Sequence, residues 1–178
     1  MGSPGGGPED KTPPSIVMVT PPSGSVNLDP SSRIEILFSE PVDKATLSAS
    51  LFISPVTDKK PKITVRGSKV VIRPAAPISH DRTMVLTLGA GVSDLHGNRM
   101  TDSRSIAMTA GSEIASGRIE GLVFSATPAQ GMLVGAWLKT SDSLQINPAV
   151  DLPDFLTQVG ENAGFALDYL PPADYRMV

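Results

Sequence analysis

The sequence predicts an all-β protein built as two tandem antiparallel β-sandwiches, and three observations carry that expectation. The first is turn density: seventeen Pro and sixteen Gly among 178 residues lie well above the ~12% of average usage and leave no room for long helices. The second is a series of short runs in which apolar and polar residues alternate, the period of a strand with one buried face. The third is charge. Residues 1–111 carry twelve Lys/Arg against ten Asp/Glu, whereas residues 112–178 carry three against eight. The sign changes at Ala110-Gly111-Ser112-Glu113 and suggests a module boundary there. The predicted layout is a flexible tether at 1–11, a first sandwich at 12–111, and a second at 114–178 that lacks its last strand or strands.

Each element follows from local sequence. Ser15–Thr20 is a short β-rich run closed by the turn formers Pro21-Pro22-Ser23-Gly24. In Arg33–Phe38, Ile34, Ile36 and Phe38 point one way and Arg33, Glu35 and Leu37 the other. Pro41–Leu47 predicts a single helical turn capped by Asp43, and Leu51–Ile53 a short strand. Lys62–Arg73 is the clearest hairpin: two alternating runs flank Gly67-Ser68, a pair suited to a type II′ turn. Folding there sets Lys62 against Arg73, Ile63 against Ile72, Val65 against Val70 and Arg66 against Lys69. Thr83–Leu88 and Ser105–Thr109 complete the first module around a turn at Asp94–Asn98. In the second, strands are expected at Ser116–Phe124, Met132–Leu138, Gly164–Tyr169 and Tyr175–Val178, with Ser141–Phe155 a long polar loop. Tyr175–Val178 is expected to be an open edge, able to pair with a second copy of the chain.

Composition narrows the chemistry. A hydrophobic fraction of 40% can supply a core, but aromatics are only 4%, so that core is aliphatic. A net charge of −3 argues against a dedicated nucleic-acid binder. There is no Cys, hence no thiol nucleophile or thiolate metal site. The two His, His80 and His96, lie in polar turn-like segments, and no G-x-S-x-G elbow accompanies them. No catalytic residue and no cofactor is expected.

Motifs along residues 13–110 resemble the bacterial Ig-like domain first described in surface-layer proteins. They are Pro13-Pro14-Ser15-Ile16-Val17, Thr20-Pro21-Pro22-Ser23-Gly24, Ile36–Asp43 and Gly91-Val92-Ser93-Asp94-Leu95-His96-Gly97-Asn98. Met84 stands where that family usually places Tyr. Residues 114–178 resemble the carboxypeptidase regulatory-like, transthyretin-like sandwich through Gly117–Gly121, Val134–Leu138, Gly164–Leu167 and Leu170–Arg176. The segment Gly5–Pro14 is similar to the start of mature Ig-like lipoproteins of the bacterial envelope. The resemblance implies an exported, non-enzymatic spacer or adhesion unit of the cell envelope. Its expected partners are envelope polysaccharide or protein, not nucleic acid, and it would reach a membrane only through a lipid-bearing Cys upstream that this chain lacks. The alternatives are a glycan- or anionic-surface-binding module, or an accessory domain of a larger exported enzyme.

Three candidate sites remain. Asp94, Asn98 and Asp102 cluster in sequence and offer hard oxygen ligands for calcium, although Asp and Asn also shape turns by bonding their own backbone. The hairpin opposes like charges, with Lys62, Arg66, Lys69 and Arg73 on its outer face and Lys59 and Lys60 nearby, which suggests contact with an anionic surface. Lysines at a sheet edge also block edge-to-edge aggregation. Trp137, Tyr169 and Tyr175 could stack on a sugar, but Trp137 sits in the apolar run Met132–Leu138 and Tyr175 alternates with apolar positions, leaving Tyr169 the better exposed candidate.

Overall fold

The computed structural model describes residues 10–57, 59–139 and 146–178. Most of the predicted tether, and the first five residues of the predicted loop at 141–155, lie outside them.

The first module is a sandwich of two antiparallel sheets. Strands β1 (Ile16–Thr20), β2 (Ile34–Phe38), β4 (Lys62–Arg66) and β5 (Lys69–Arg73) form one sheet in the order β1-β2-β5-β4. Strands β3 (Leu51–Ser54), β6 (Met84–Leu88) and β7 (Arg104–Met108) form the other in the order β3-β6-β7. Helix α1 (Lys44–Ala49) links them; Asp43 caps it by accepting from the Thr46 N–H at 2.8 Å, and Leu47 anchors it in the core. The alternation in β2 is realised as expected, with Ile34, Ile36 and Phe38 at 0–2% exposure. They meet Val70 and Ile72 from the same sheet and Met84, Leu86, Leu88, Ile106 and Met108 from the other. Each such side chain contributes roughly 1.5–3 kcal/mol on burial, so this aliphatic cluster holds the module together without disulfides. The β4–β5 hairpin has the register read from the sequence, Lys62 opposite Arg73 through Arg66 opposite Lys69. Gly67 sits at φ +59°, the sign that the first central position of a type II′ turn demands.

The second module has strands β8 (Gly117–Leu122), β9 (Leu133–Leu138), β10 (Phe155–Gln158), β11 (Gly164–Leu170) and β12 (Tyr175–Met177). One sheet runs β10-β9-β12 and the other pairs β11 with β8. Strand β10 corrects the sequence reading, which ended a loop at Phe155 and placed no strand after it. Phe155 and Thr157 lie opposite Ala136 and Val134 and point inward with them. Four residues hold only two periods, and one inward residue is polar, so the alternation is too brief to read. Strand β8 also stops short of the expected end: Phe124 is 92% exposed. Along β11 the register shifts between Asp168 and Leu170, where Tyr169 takes φ +63° in a bulge. Strand β12 lies at the edge of its sheet.

The modules share a wall. All five residues of β6 are buried, because its two faces serve different cores. Met84, Leu86 and Leu88 face the first core. Val85 joins Ala136, Phe155, Leu167 and Leu170 of the second.

No helix among the described residues is long and apolar enough to cross a membrane.

Candidate functional site

The predicted basic residues fall in two places. Lys62 and Arg66 stand on β4, an edge strand, and Lys69 and Arg73 stand opposite them on β5. Glu35 on the neighbouring β2 tempers this face: Lys69 Nζ lies 2.7 Å from its carboxylate and Arg33 Nη2 lies 3.1 Å away. The hydrogen bond from Lys69 chiefly holds the Glu35 carboxyl below its ordinary pKa. Like charges do face one another, but an acid that sequence reading did not place there joins them. Lys59 and Lys60 belong elsewhere, at the rim of a cleft between the β3–β4 and β5–β6 connections.

The turn at 93–98 is built around Asp94, a carboxylate only 2% exposed. Its Oδ1 accepts from the backbone N–H of His96 and of Asn98, each at 2.8 Å, and its Oδ2 accepts from Asn98 Nδ2 at 2.8 Å. Burial alone would raise this carboxyl's pKa; the bonds from Asn98, His96 and Gly97 outweigh it and hold the group below its ordinary value. Asn98 also donates to the Asp10 carbonyl at 3.1 Å. The left-handed backbone of the turn falls on Gly97 at φ +92°, not on Asn98.

Of the three residues proposed for calcium, Asp94 and Asn98 meet, whereas Asp102 accepts from Thr101 Oγ1 and lies beside Gly160 of the second module. The groups that converge with Asp94 are Asp10 and His96, their ligand atoms all within 4.8 Å of one another. His96 Nδ1 stands 3.8 Å from a carboxylate oxygen of each Asp. Glu40 is close enough to be affected: burial first, then the Asp10 and Asp94 charges, push its carboxyl above the ordinary value. No residue spacing signals this group, since Asp10 and His96 are brought together only by the fold.

His80, exposed, bonds the Ala110 carbonyl through Nδ1 at 2.9 Å. The aromatic residues form no exposed platform. Trp137 is 7% exposed, and Tyr175 donates to the Pro171 carbonyl at 2.7 Å while its ring meets Phe155 edge-on. Tyr169 is half-buried against the second core, because the bulge turns it there. No nucleophile–base pair is assembled among these groups.

A family model for the bacterial Ig-like domain matches residues 10–110. The chain belongs to the bacterial Ig-like domain family. The matched span takes in β1 to β7, α1 and the Asp94 turn, and it ends one residue before Gly111. No curated protein matches the chain. Among solved structures, an L,D-transpeptidase from Mycobacterium smegmatis is similar at 15% identity and a TM-score of 0.42, over 84% of this chain and 74% of that one.

Beyond the Ig-like span, the second module is latched to it by Gln158 at the end of β10. The Gln158 side chain accepts from the Gly91 N–H at 2.9 Å and donates to the Gly131 carbonyl at 2.9 Å. Its backbone carbonyl accepts from Ser103 Oγ at 2.6 Å. The approach is close: a Cβ on Gly89 would collide with the Gln158 amide, and one on Gly91 would lie 3.0 Å from it. Gly89 therefore makes room for the neighbouring module, while a Cβ on Gly91 would first meet Ser50 Oγ of its own module. A third tie runs from the Ala115 N–H to Thr83 Oγ1 at 2.9 Å.

Proposed function

We propose that this chain is a non-enzymatic spacer or adhesion unit of an exported bacterial cell-envelope lipoprotein, its second module of the carboxypeptidase regulatory-like type. The observation that carries the reading is the seam between the modules. A spacer must hold its two ends in a fixed relation, and here a shared apolar wall at Val85 is reinforced by the Gln158 latch. The Ig-like family membership agrees with a bacterial surface or structural role. The lipid anchor rests on the similarity of Gly5–Pro14 to lipoprotein starts.

The test is replacement within the native polypeptide. Residues 10–178 are exchanged for an unrelated pair of rigidly joined β-sandwiches of equal length. Envelope fractionation and the parent protein's activity at the cell surface are then measured. A spacer keeps both. Loss of activity in a correctly exported and folded hybrid would overturn the spacer reading in favour of specific recognition.

A further inference from the structure

The cleft that holds Lys59 and Lys60 encloses about 330 Å³, at the small end of the ~300–1,000 Å³ usual for ligand pockets. Ile78 and Met84, at 2% and 6% exposure, lie deepest, with Leu51, Ile53 and Leu156 beside them. Leu156 comes from the second module, so the docked neighbour adds one residue to a lining otherwise drawn from the first. Pro55, Pro61, Pro74 and Pro77 form its walls; proline has no N–H to donate and a fixed φ, so these walls are rigid and poor in donors. The Thr57 hydroxyl donates to the Lys59 carbonyl, and Ser79 Oγ accepts from the Asp81 N–H.

The polar character lies at the mouth. Lys59, Lys60 and Arg82 are exposed there, and among the described residues none of these side chains has an ion-pair partner. Asp58 lies outside the described residues, yet with it counted the segment 58–62 is still net +2 by sequence. The mainly apolar walls offer a sugar few hydroxyl partners, and the four prolines offer an extended peptide no backbone N–H donors. An apolar interior with an unpaired cationic rim suits one ligand chemistry: an acyl chain ending in a negative charge.

We propose that this cleft binds a single-chain anionic amphiphile, taken up as a monomer, with its chain against Ile53, Ile78 and Met84 and its carboxylate at Lys59, Lys60 and Arg82. The proposal is independent of the spacer role. The probe is dodecanoate below its micellar concentration, titrated into the full chain while methyl resonances are followed by ¹³C NMR. Saturable shifts are expected at Met84, Ile53 and Ile78. Reversing the rim charges (K59E/K60E/R82E) should weaken binding by about tenfold or more, equivalent to about 1.4 kcal/mol. A76W, a bulky group at an exposed position of the lining, should block it. Dodecyltrimethylammonium should leave the methyls of Met84, Ile53 and Ile78 unmoved. Four outcomes would overturn the proposal: no saturable shift, shifts confined to the exposed Leu122 and Leu152, equal binding of the cationic amphiphile, or undiminished binding by either variant. Association only with phosphatidylglycerol vesicles, with monomeric dodecanoate silent, would overturn it too and point to a membrane-surface contact.

Discussion

Residues 16–110 and residues 117–177 both form paired antiparallel sheets, yet they enclose their interiors with unequal means. The first module has a four-stranded and a three-stranded sheet, and every residue of its main core cluster comes from its own chain segment. The second has a three-stranded and a two-stranded sheet, and its larger cluster includes Val85, a residue of the first. Thin sheets bury too little area to be stable unaided, so the smaller module completes its core on its neighbour. Dependence should therefore run one way, from second to first.

The comparison can be broken most sharply in the cores. Leu86→Ala should cost about 2–5 kcal/mol and Phe155→Ala about 3–5 kcal/mol, but with different reach. Leu86→Ala should speed amide hydrogen exchange in both modules, whereas Phe155→Ala should speed it after residue 114 and leave β2 and β5 protected. Faster exchange in β2 and β5 on losing Phe155 would mean that the halves fold as one cooperative unit. A smaller effect sharpens the seam itself. Gly89→Ala forces a methyl group into the Gln158 side chain and should destabilise by about 1–3 kcal/mol. In a Gln158→Ala background most of that cost should vanish, and strict additivity in the double-mutant cycle would refute the latch.

The smallest expected effect tests a turn that belongs to the first module alone. A carboxyl held below its unfolded pKa stabilises the fold above that pKa, about 4 for Asp, and the contribution disappears as pH falls through the lower folded value. Asp94→Asn should thus lower the urea midpoint at pH 7 and approach the parent protein as pH drops below about 4. A gap that stays constant with pH would show that the Asp94 charge adds nothing beyond its geometry.

Legibility in the sequence followed the range of the interactions. The hairpin at 62–73 was readable down to its register because turn chemistry and alternation agree within twelve residues. The Asp43 cap and the inward face of β2 are equally local. Strand β10 was hidden because its evidence is its partner, β9, across a long connection. Glu35 beside Lys69 required the order of strands in the sheet, and the meeting of Asp10 with His96 required the whole first module. The role of Gln158 had no local signal at all, since one polar residue at a strand end is unremarkable until Gly89 is seen to vacate the space it fills. The apolar run around Trp137 made it a core candidate correctly, but the bulge that draws in Tyr169 depends on a φ value no spacing encodes.

The strand buried on both faces has a consequence for how such a chain can be rearranged over evolution. Domain shuffling works when a module can be cut out with a surface already fit for water. Here the cut at the charge boundary would leave Val85 and the far side of its sheet bare, an apolar patch turned toward water. The portable piece is the pair, and an Ig-like copy inherited without its neighbour would need Val85 on β6 replaced by a polar residue.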